Sequence, residues 1–491
     1  MARGTTLNPT PALAPRADTP STARPDRRWL VLTAVGVGTF MSALNGSIVN
    51  AIMPVLMREL RIDFATAEWI TMVFLLLVSG LLLSFGRLGD MVGHKRVALA
   101  GFGLFILGSV ACGLSPTAGW LIGARGFQAV GSAMLMATSP ALLTAAFPAR
   151  QRGRALGLQA TFTYLGLMVG PTAGGWLTQR FGWPSIFFLS VPVGLVALAL
   201  TLFAVAPDAQ RERREPFDPA GALLFLSGLT ALLLALSHGQ DWGWSSSKVI
   251  GLLVLALALL GAFLAVEKRV RFPMIDLTLF DVRIIRAATV SALLSYICVY
   301  SVTFLMPFYL MRFRGMPPGQ AGLLLSAQAL TMAITAPLSG ALSDRIGSRL
   351  PASLGMAVVT VGLVLLATLD AEASRLDIAL RLGLLGIGSG LFASPNTSAL
   401  LGAAPRQRQG IAAAVLGCAR NVGMVLGVAL AGALFARALA AEGGSLETGA
   451  GFVPAFRITF LVVALFGAVG VVTSLARGPK SEGAQAEAKA S

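Results

Sequence analysis

The chain has 491 residues, 55% of them hydrophobic and only 12% charged, with a mean hydropathy of +0.77. Soluble domains carry about 25% charged residues, so a soluble globular protein is excluded. The apolar runs are continuous over about twenty residues, which excludes a β-barrel with its alternating segments of about ten. The net charge of +16 lies in short clusters between those runs, a pattern of membrane orientation and not of a nucleic-acid footprint.

Residues 1–28 are rich in Pro, Thr and Arg, lack an apolar run and are expected to form a disordered tail. The first apolar run starts at Trp29, has full span length and is not followed by a small-residue cleavage site, so it reads as a retained helix. Apolar runs of spanning length fall near 29–51, 66–86, 97–114, 119–141, 155–177, 186–205, 219–238, 249–266, 287–310, 320–341, 351–369, 377–402, 411–436 and 454–476. The count is fourteen, an even number, which puts both ends of the chain on one side. Arg27 and Arg28, Lys95 and Arg96, Arg150, Arg152 and Arg154, Arg211, Arg213 and Arg214, Lys268 and Arg269, and Arg406 and Arg408 occupy alternate connections, so both termini are expected in the cytoplasm. Cys112, Cys298 and Cys418 lie inside apolar runs and read as small packing residues, not as a disulfide framework.

The chain repeats itself at an offset of about 255 residues. The segment 86–96 (GRLGDMVGHKR) returns at 340–350 (GALSDRIGSRL), and 137–153 has a counterpart at 392–410. Gly166 and Gly170 match Gly423 and Gly427, and Arg125 lies close to the counterpart of Arg381. The expected architecture is therefore an all-α integral membrane protein of two six-helix repeats with two inserted helices. The boundaries are 29–205 for the first bundle, 206–270 for the linker with its two extra spans, 271–476 for the second bundle and 477–491 for a cytoplasmic tail. Parallel six-helix repeats with a substrate site between them are a secondary-transporter architecture.

Within the first repeat, the stretch 157–175 (GLQATFTYLGLMVGPTAGG) places Gly166, Gly170 and Gly174 on one helical face, where a neighbouring backbone can approach closely. Pro171 removes a backbone donor and should bend the helix there. The second repeat has Val428 at the position of Pro171, so the bend belongs to one half only.

These residues resemble the major facilitator superfamily, and best its fourteen-helix drug–proton antiporter branch. Gly86, Leu88, Gly89, Asp90, Gly93, Lys95 and Arg96 look like its signature loop, with Gly340, Leu342, Asp344, Arg345, Gly347 and Arg349 as the second copy. The glycine spacing from Gly157 through Gly170–Pro171 to Gly174–Gly175 resembles the antiporter motif. Arg125 with Gln128 and Gly131, Asn50 and Pro54, and the segment 183–194 resemble further elements. The resemblance covers nearly all of 29–476 and implies a multidrug or hydrophobic-compound efflux transporter working by alternating access with proton coupling. It implies small hydrophobic substrates, protons and the lipid bilayer as partners, no nucleic acid, no cofactor, no catalysis, and a monomer in a bacterial cytoplasmic (inner) membrane.

A carboxylate at Asp90 can pair with a facing helix N-terminus or guanidinium, so the duplicated loops are expected to gate one side. Arg125 and Arg420 lie within spans and Arg381 near a span's start; a guanidinium inside a membrane is a functional-site hypothesis by default. One departure from the family matters. Where the branch usually has Leu-Asp-x-Thr in helix 1, this chain reads Leu44-Asn45-Gly46-Ser47, and an amide does not exchange a proton. The remaining coupling candidates are Arg125, Asp90 and Glu68. Asn45, Asn50, Gln128, Tyr164, Tyr296, Tyr300, Gln328, Asn396 and Asn421 are expected to face a cavity or a neighbouring helix, not lipid. With two histidines at span edges and no acid mid-span, neither a metal site nor an enzyme is expected. The missing acid makes export of an endogenous lipid or metabolite the alternative reading.

Overall fold

The computed structural model describes residues 25–148, 151–206, 219–270, 277–404, 409–444 and 451–477. Of the expected tail 1–28, residues 1–24 lie outside the described residues, and Pro25 to Arg28 belong instead to the first helix. The arginines of the connections 207–218 and 405–408, the tail from 478 and the side chain of Asp344 also lie outside them. Among the described residues the fold is all helical, as lipid demands of a chain that must satisfy its own backbone groups. There are fourteen long helices and one short one: α1 Pro25–Ala51, α2 Met53–Leu60, α3 Phe64–Val92, α4 His94–Gly113, α5 Ala118–Ala146, α6 Arg152–Phe181, α7 Ser185–Ala204, α8 Pro219–Trp242, α9 Ser247–Glu267, α10 Arg283–Pro307, α11 Pro318–Ile346, α12 Arg349–Leu366, α13 Arg375–Ala403, α14 Gln409–Ala441 and α15 Phe452–Leu475. The short helix α2 was not expected. Pro54 cannot donate to the Asn50 carbonyl, so the first span breaks at Ile52 and resumes as one extra turn or two.

Thirteen of the long helices are apolar enough by composition to cross a membrane; α6 is the other, because its Gly, Thr, Gln and Pro residues dilute the apolar run. The starts of α1, α4 and α10 and the ends of α7 and α15 share one end of the bundle, here the tail end. Arg27 donates to the Phe203 carbonyl at 3.0 Å, Lys95 to Val205 at 2.6 Å and Arg283 to Ala476 at 2.8 Å, each a cation on the carbonyl end of a helix. At the far end, four helices begin on a side-chain cap: Asp63 for α3, Thr117 for α5, Ser246 for α9 and Ser374 for α13.

The two six-helix repeats pack in the same way. α1 packs on α6 as α10 does on α14, α3 on α5 as α11 on α13, and α4 on α5 as α12 on α13. Duplicated glycines make close contacts in both repeats. A Cβ on Gly131 would stand 2.5 Å from the Phe105 nitrogen and 2.7 Å from the Gly101 carbonyl, and one on its counterpart Gly388 2.7 Å from the Val359 nitrogen and 2.9 Å from the Gly355 carbonyl. Without water to drive association, such backbone approach is what holds the helices together. The repeats meet along α6 with α11 and α3 with α14, while α8 lies on α3 and α14 and carries α9 outside it.

The signature segments differ from the expected loops. Gly86 to Val92 complete α3 and Gly340 to Ile346 complete α11; only Gly93 separates α3 from α4, and only Gly347 and Ser348 separate α11 from α12. Gly93 (φ 106°) and Gly347 (φ 86°) turn the chain in a conformation reserved for glycine, one repeat apart.

Candidate functional site

The polar centre of the first bundle is built around Arg125 of α5, 1% exposed. Its guanidinium donates to the Oδ1 of Asn45 on α1, to the Gln128 Oε1 at 2.8 Å and to the Ile70 carbonyl at 3.3 Å, and lies 4.2 Å from the Phe74 ring centroid. Gln128 in turn donates to Ser109 Oγ at 2.8 Å. Arg125 therefore does not reach for the membrane surface. It is held between α1, α3 and α4 by neutral dipoles and a π-face, with an amide where an acid would complete an ion pair. Asn45 Nδ2 is left without a hydrogen-bond partner. Asn50 is buried nearby and accepts from Thr71 Oγ1 at 2.6 Å.

The counterpart in the second bundle, Arg381 of α13, is arranged otherwise. It pairs with Asp377 at 2.9 Å and donates to Thr368 Oγ1 at 2.7 Å and to the Leu365 carbonyl, capping α12 near the far end. The buried cation of the second bundle is instead Arg477, two residues past α15. It donates to the Oδ1 of Asn396, whose Nδ2 bonds the Ala288 carbonyl at 3.1 Å, and to Ser474 Oγ at 3.2 Å. Burial pushes its guanidinium down to about 10, which leaves it a cation at neutral pH. Sequence reasoning placed Arg477 in the tail; its only signal is that it directly follows the last apolar run.

The Gly-Pro stretch of α6 serves two faces. Gly166, Gly170 and Gly174 press on α1, where a Cβ on Gly166 would stand 2.5 Å from the Phe40 carbonyl. Gly423 and Gly427 press on α10 in the same way. The other face of α6 meets the second bundle. Gly175 abuts the Pro318 carbonyl and Gly322 the Pro171 carbonyl, so neither glycine can carry a Cβ. Thr172 Oγ1 and Ser326 Oγ are 2.7 Å apart, and Ser326 Oγ donates to the Met168 carbonyl at 2.9 Å. This seam joins the bundles towards the far end. Nearer the tail end of α6, Gly157 has no neighbour within 4 Å of a Cβ, and Thr161 and Leu165 are exposed.

The second seam, α3 with α14, buries Glu68 (1% exposed). Its Oε2 accepts from Ser237 Oγ of α8 at 3.0 Å. Oε1 has no hydrogen-bond partner and occupies the space that Gly432 leaves by lacking a Cβ. An aromatic cluster closes the same end: Phe64 lies 5.3 Å from Phe304, 5.0 Å from Phe308 and 5.8 Å from Phe435.

Between the bundles, Tyr164 of α6, Tyr296 and Tyr300 of α10, Gln328 of α11 and Arg420 of α14 are half-buried, while Asn421 is buried. Tyr296 and Tyr300 are 6.4 Å apart, and the Arg420 guanidinium lies 5.2 Å from the Tyr296 ring. At the tail end, Asp90 is exposed with His94 Nε2 at 3.5 Å, and Lys95 caps α7. Gly340 packs on Ser394, Arg345 is exposed and Arg349 starts α12.

Two mirrored sixes of membrane-spanning helices that meet along two seams around a polar interior define a membrane transporter. The family model of the Major Facilitator Superfamily matches residues 35–275 and 288–491, and the chain belongs to that superfamily, in its drug-efflux branch. It is 35% identical over 413 residues to the riboflavin transporter RibZ of Clostridioides difficile, covering 84% of this chain and 89% of that protein. It is 35% identical over 413 residues to the multidrug resistance protein Stp of Mycobacterium tuberculosis (84% and 76%). It is also 32% identical over 421 residues to the tetracenomycin C resistance and export protein of Streptomyces glaucescens (86% and 78%).

Proposed function

We propose that this transporter exports small hydrophobic compounds by alternating access, driven by protons, as a monomer in a bacterial cytoplasmic membrane. The observation that carries the reading is the closed far-end seam, in which Gly175, Gly322, Thr172 and Ser326 dock α6 of one bundle onto α11 of the other. Contacts between glycines and short hydroxyls can separate without leaving bulky side chains stranded, so the seam suits two bundles that rock apart. The alternation of Lys and Arg along the sequence supports placing the tail end in the cytoplasm. In that orientation the half-buried tyrosines receive substrate from the cytoplasm while the outer end is shut. The bundles on this reading are 29–205 and 271–476, with 206–270 inserted between them.

Proton coupling needs a group that exchanges a proton as the seams open. Asn45 does not, and Asp90 is exposed at the tail end. Glu68 combines a carboxyl group, burial in a seam and contacts with all three helical units, and it is the coupling residue of this reading. Proteoliposomes with an imposed pH gradient test it: export should follow the gradient and fall at least tenfold in Glu68→Gln. Export unchanged after the gradient is collapsed overturns the coupling. The amide at Asn45 and the similarity to a riboflavin transporter favour a second reading, export of an endogenous metabolite or lipid. Comparing drugs, metabolites and lipids in the same vesicles separates the two.

A further inference from the structure

Arg420 sits about twelve residues into α14, well below the tail end, and is half-buried beside the interface of the two bundles. A guanidinium at that depth demands partners. Among the described residues no carboxylate pairs with it, and its Nε has no hydrogen-bond partner. Phenols surround it instead. Tyr296 presents its ring 5.2 Å away, Tyr300 stands one turn further along α10, and Tyr164 comes from the opposite bundle close enough to interact electrostatically with both Arg420 and Tyr296. Asn421, next on α14, has a side-chain amide nitrogen that is also without a partner. The cluster thus offers the unpartnered Nε–H of Arg420, the unpartnered amide of Asn421, three hydroxyls, one of them bonded to Arg420, and flat aromatic faces, drawn from both halves of the molecule.

We infer that Arg420, Tyr164, Tyr296 and Tyr300 form the substrate-selecting site, and that it takes planar aromatic compounds carrying a negative charge, such as aromatic carboxylates. The guanidinium pairs with the carboxylate in a fork, as Arg does wherever planar anions are recognised, and the tyrosine rings stack on the aromatic plane. A cation placed about 6 Å from Arg420, at an effective dielectric constant of about 20, would be repelled by about a hundredfold in affinity. Arg125 adds to the same sign, and no buried carboxylate stands beside either guanidinium among the described residues. Because Tyr164 lies on α6 and the other members on α10 and α14, a ligand held here touches both bundles and is in a position to bias their separation. The inference rests on the export reading above and names the substrate class of that transporter.

The test uses the full chain in lipid nanodiscs and two dyes with the same ring system, anionic fluorescein and cationic rhodamine 123, followed by fluorescence polarisation. Fluorescein should bind at least tenfold more tightly than rhodamine 123. Arg420→Gln should weaken fluorescein at least tenfold and leave rhodamine 123 unchanged or improved, while Arg420→Lys retains part of the preference. Equal or tighter binding of rhodamine 123 by the native protein overturns the inference, as does full fluorescein affinity in Arg420→Gln. Should Arg420→Gln fail to fold, competition on the native protein decides: 2-naphthoate should displace fluorescein and neutral 2-naphthamide should not, and equal displacement by both overturns the inference. Uptake into inside-out vesicles separates the two claims. Fluorescein bound but never accumulated sinks the export reading and leaves the site standing; equal accumulation of both dyes sinks the site and leaves export standing.

Discussion

Arg125 and Arg381 occupy matching places in the two repeats and do different work. Arg125 is enclosed by Asn45, Gln128, Ile70 and Phe74, so its charge is spread over neutral dipoles inside the first bundle. Arg381 is neutralised by Asp377 and spends its remaining donors on the end of α12. The duplicated backbone thus carries one charge as a tensioned interior group and the other as a surface fastening. The seams differ likewise. The α6/α11 seam is made of glycines and short hydroxyls, whereas the α3/α14 seam closes over the carboxyl group of Glu68 and leans on the inserted helix α8.

The most severe way to break this comparison is at the first seam. Thr172 and Ser326 are near enough for a disulfide in the double variant Thr172→Cys, Ser326→Cys. Oxidation should stop transport completely and reduction should restore it, measured in vesicles before and after a reductant. Transport that continues with the bridge formed means that the far end need not open.

Arg125→Ala comes next. It leaves the Asn45 and Gln128 oxygens buried without the donor they share, at about 1–3 kcal/mol each, while the Ile70 carbonyl keeps its bond within α3. Transport should be lost and the melting temperature of the purified protein should fall clearly. Asn45→Asp sharpens the contrast in the other direction. It supplies the missing charge, removes the unpartnered Nδ2, and should stabilise the protein by on the order of 1 kcal/mol through a charge-assisted pair. A lower melting temperature would mean that the Arg125 pocket does not welcome an acid. The smallest effect is expected from Arg381→Ala, worth about 1 kcal/mol or less for a partly exposed pair, with transport within twofold of the native rate. If it matches Arg125→Ala, the two repeats are not functionally distinct.

Much of the fold was legible from residue order. The long apolar runs give the fourteen helices, and the repeat at about 255 residues gives the mirrored packing, because both depend on local composition and on glycines whose spacing survives duplication. The signature segments read as loops because Gly and Asp are turn formers, yet α3 and α11 run through them and only Gly93 and Gly347 turn. The span break at Pro54 is explicable in hindsight from the carbonyl that proline leaves unpaired. The site was only partly legible. Arg125 and Gln128, three residues apart on α5, share a face by their spacing, but nothing in the sequence says that Asn45 meets them, since it lies on α1. Ser109, Phe74, Ser237 and Arg477 went unnoticed because a serine, a phenylalanine or a post-helical arginine is unremarkable until a neighbour is known.

The sequence by itself determined the membrane-spanning helical class, the duplication, the one-sided Gly-Pro feature and the loss of the helix 1 acid, since each is a matter of residue type and period along the chain. Only the tertiary structure decided which glycines face the same bundle and which face the other, that Arg125 is held by amides while Arg381 is paired, and that Glu68 is shut into a three-way seam. The reason is physical. Helical period assigns residues to faces, but which face meets which neighbour depends on how closely the backbones can approach, and that is set jointly by helices far apart in the chain.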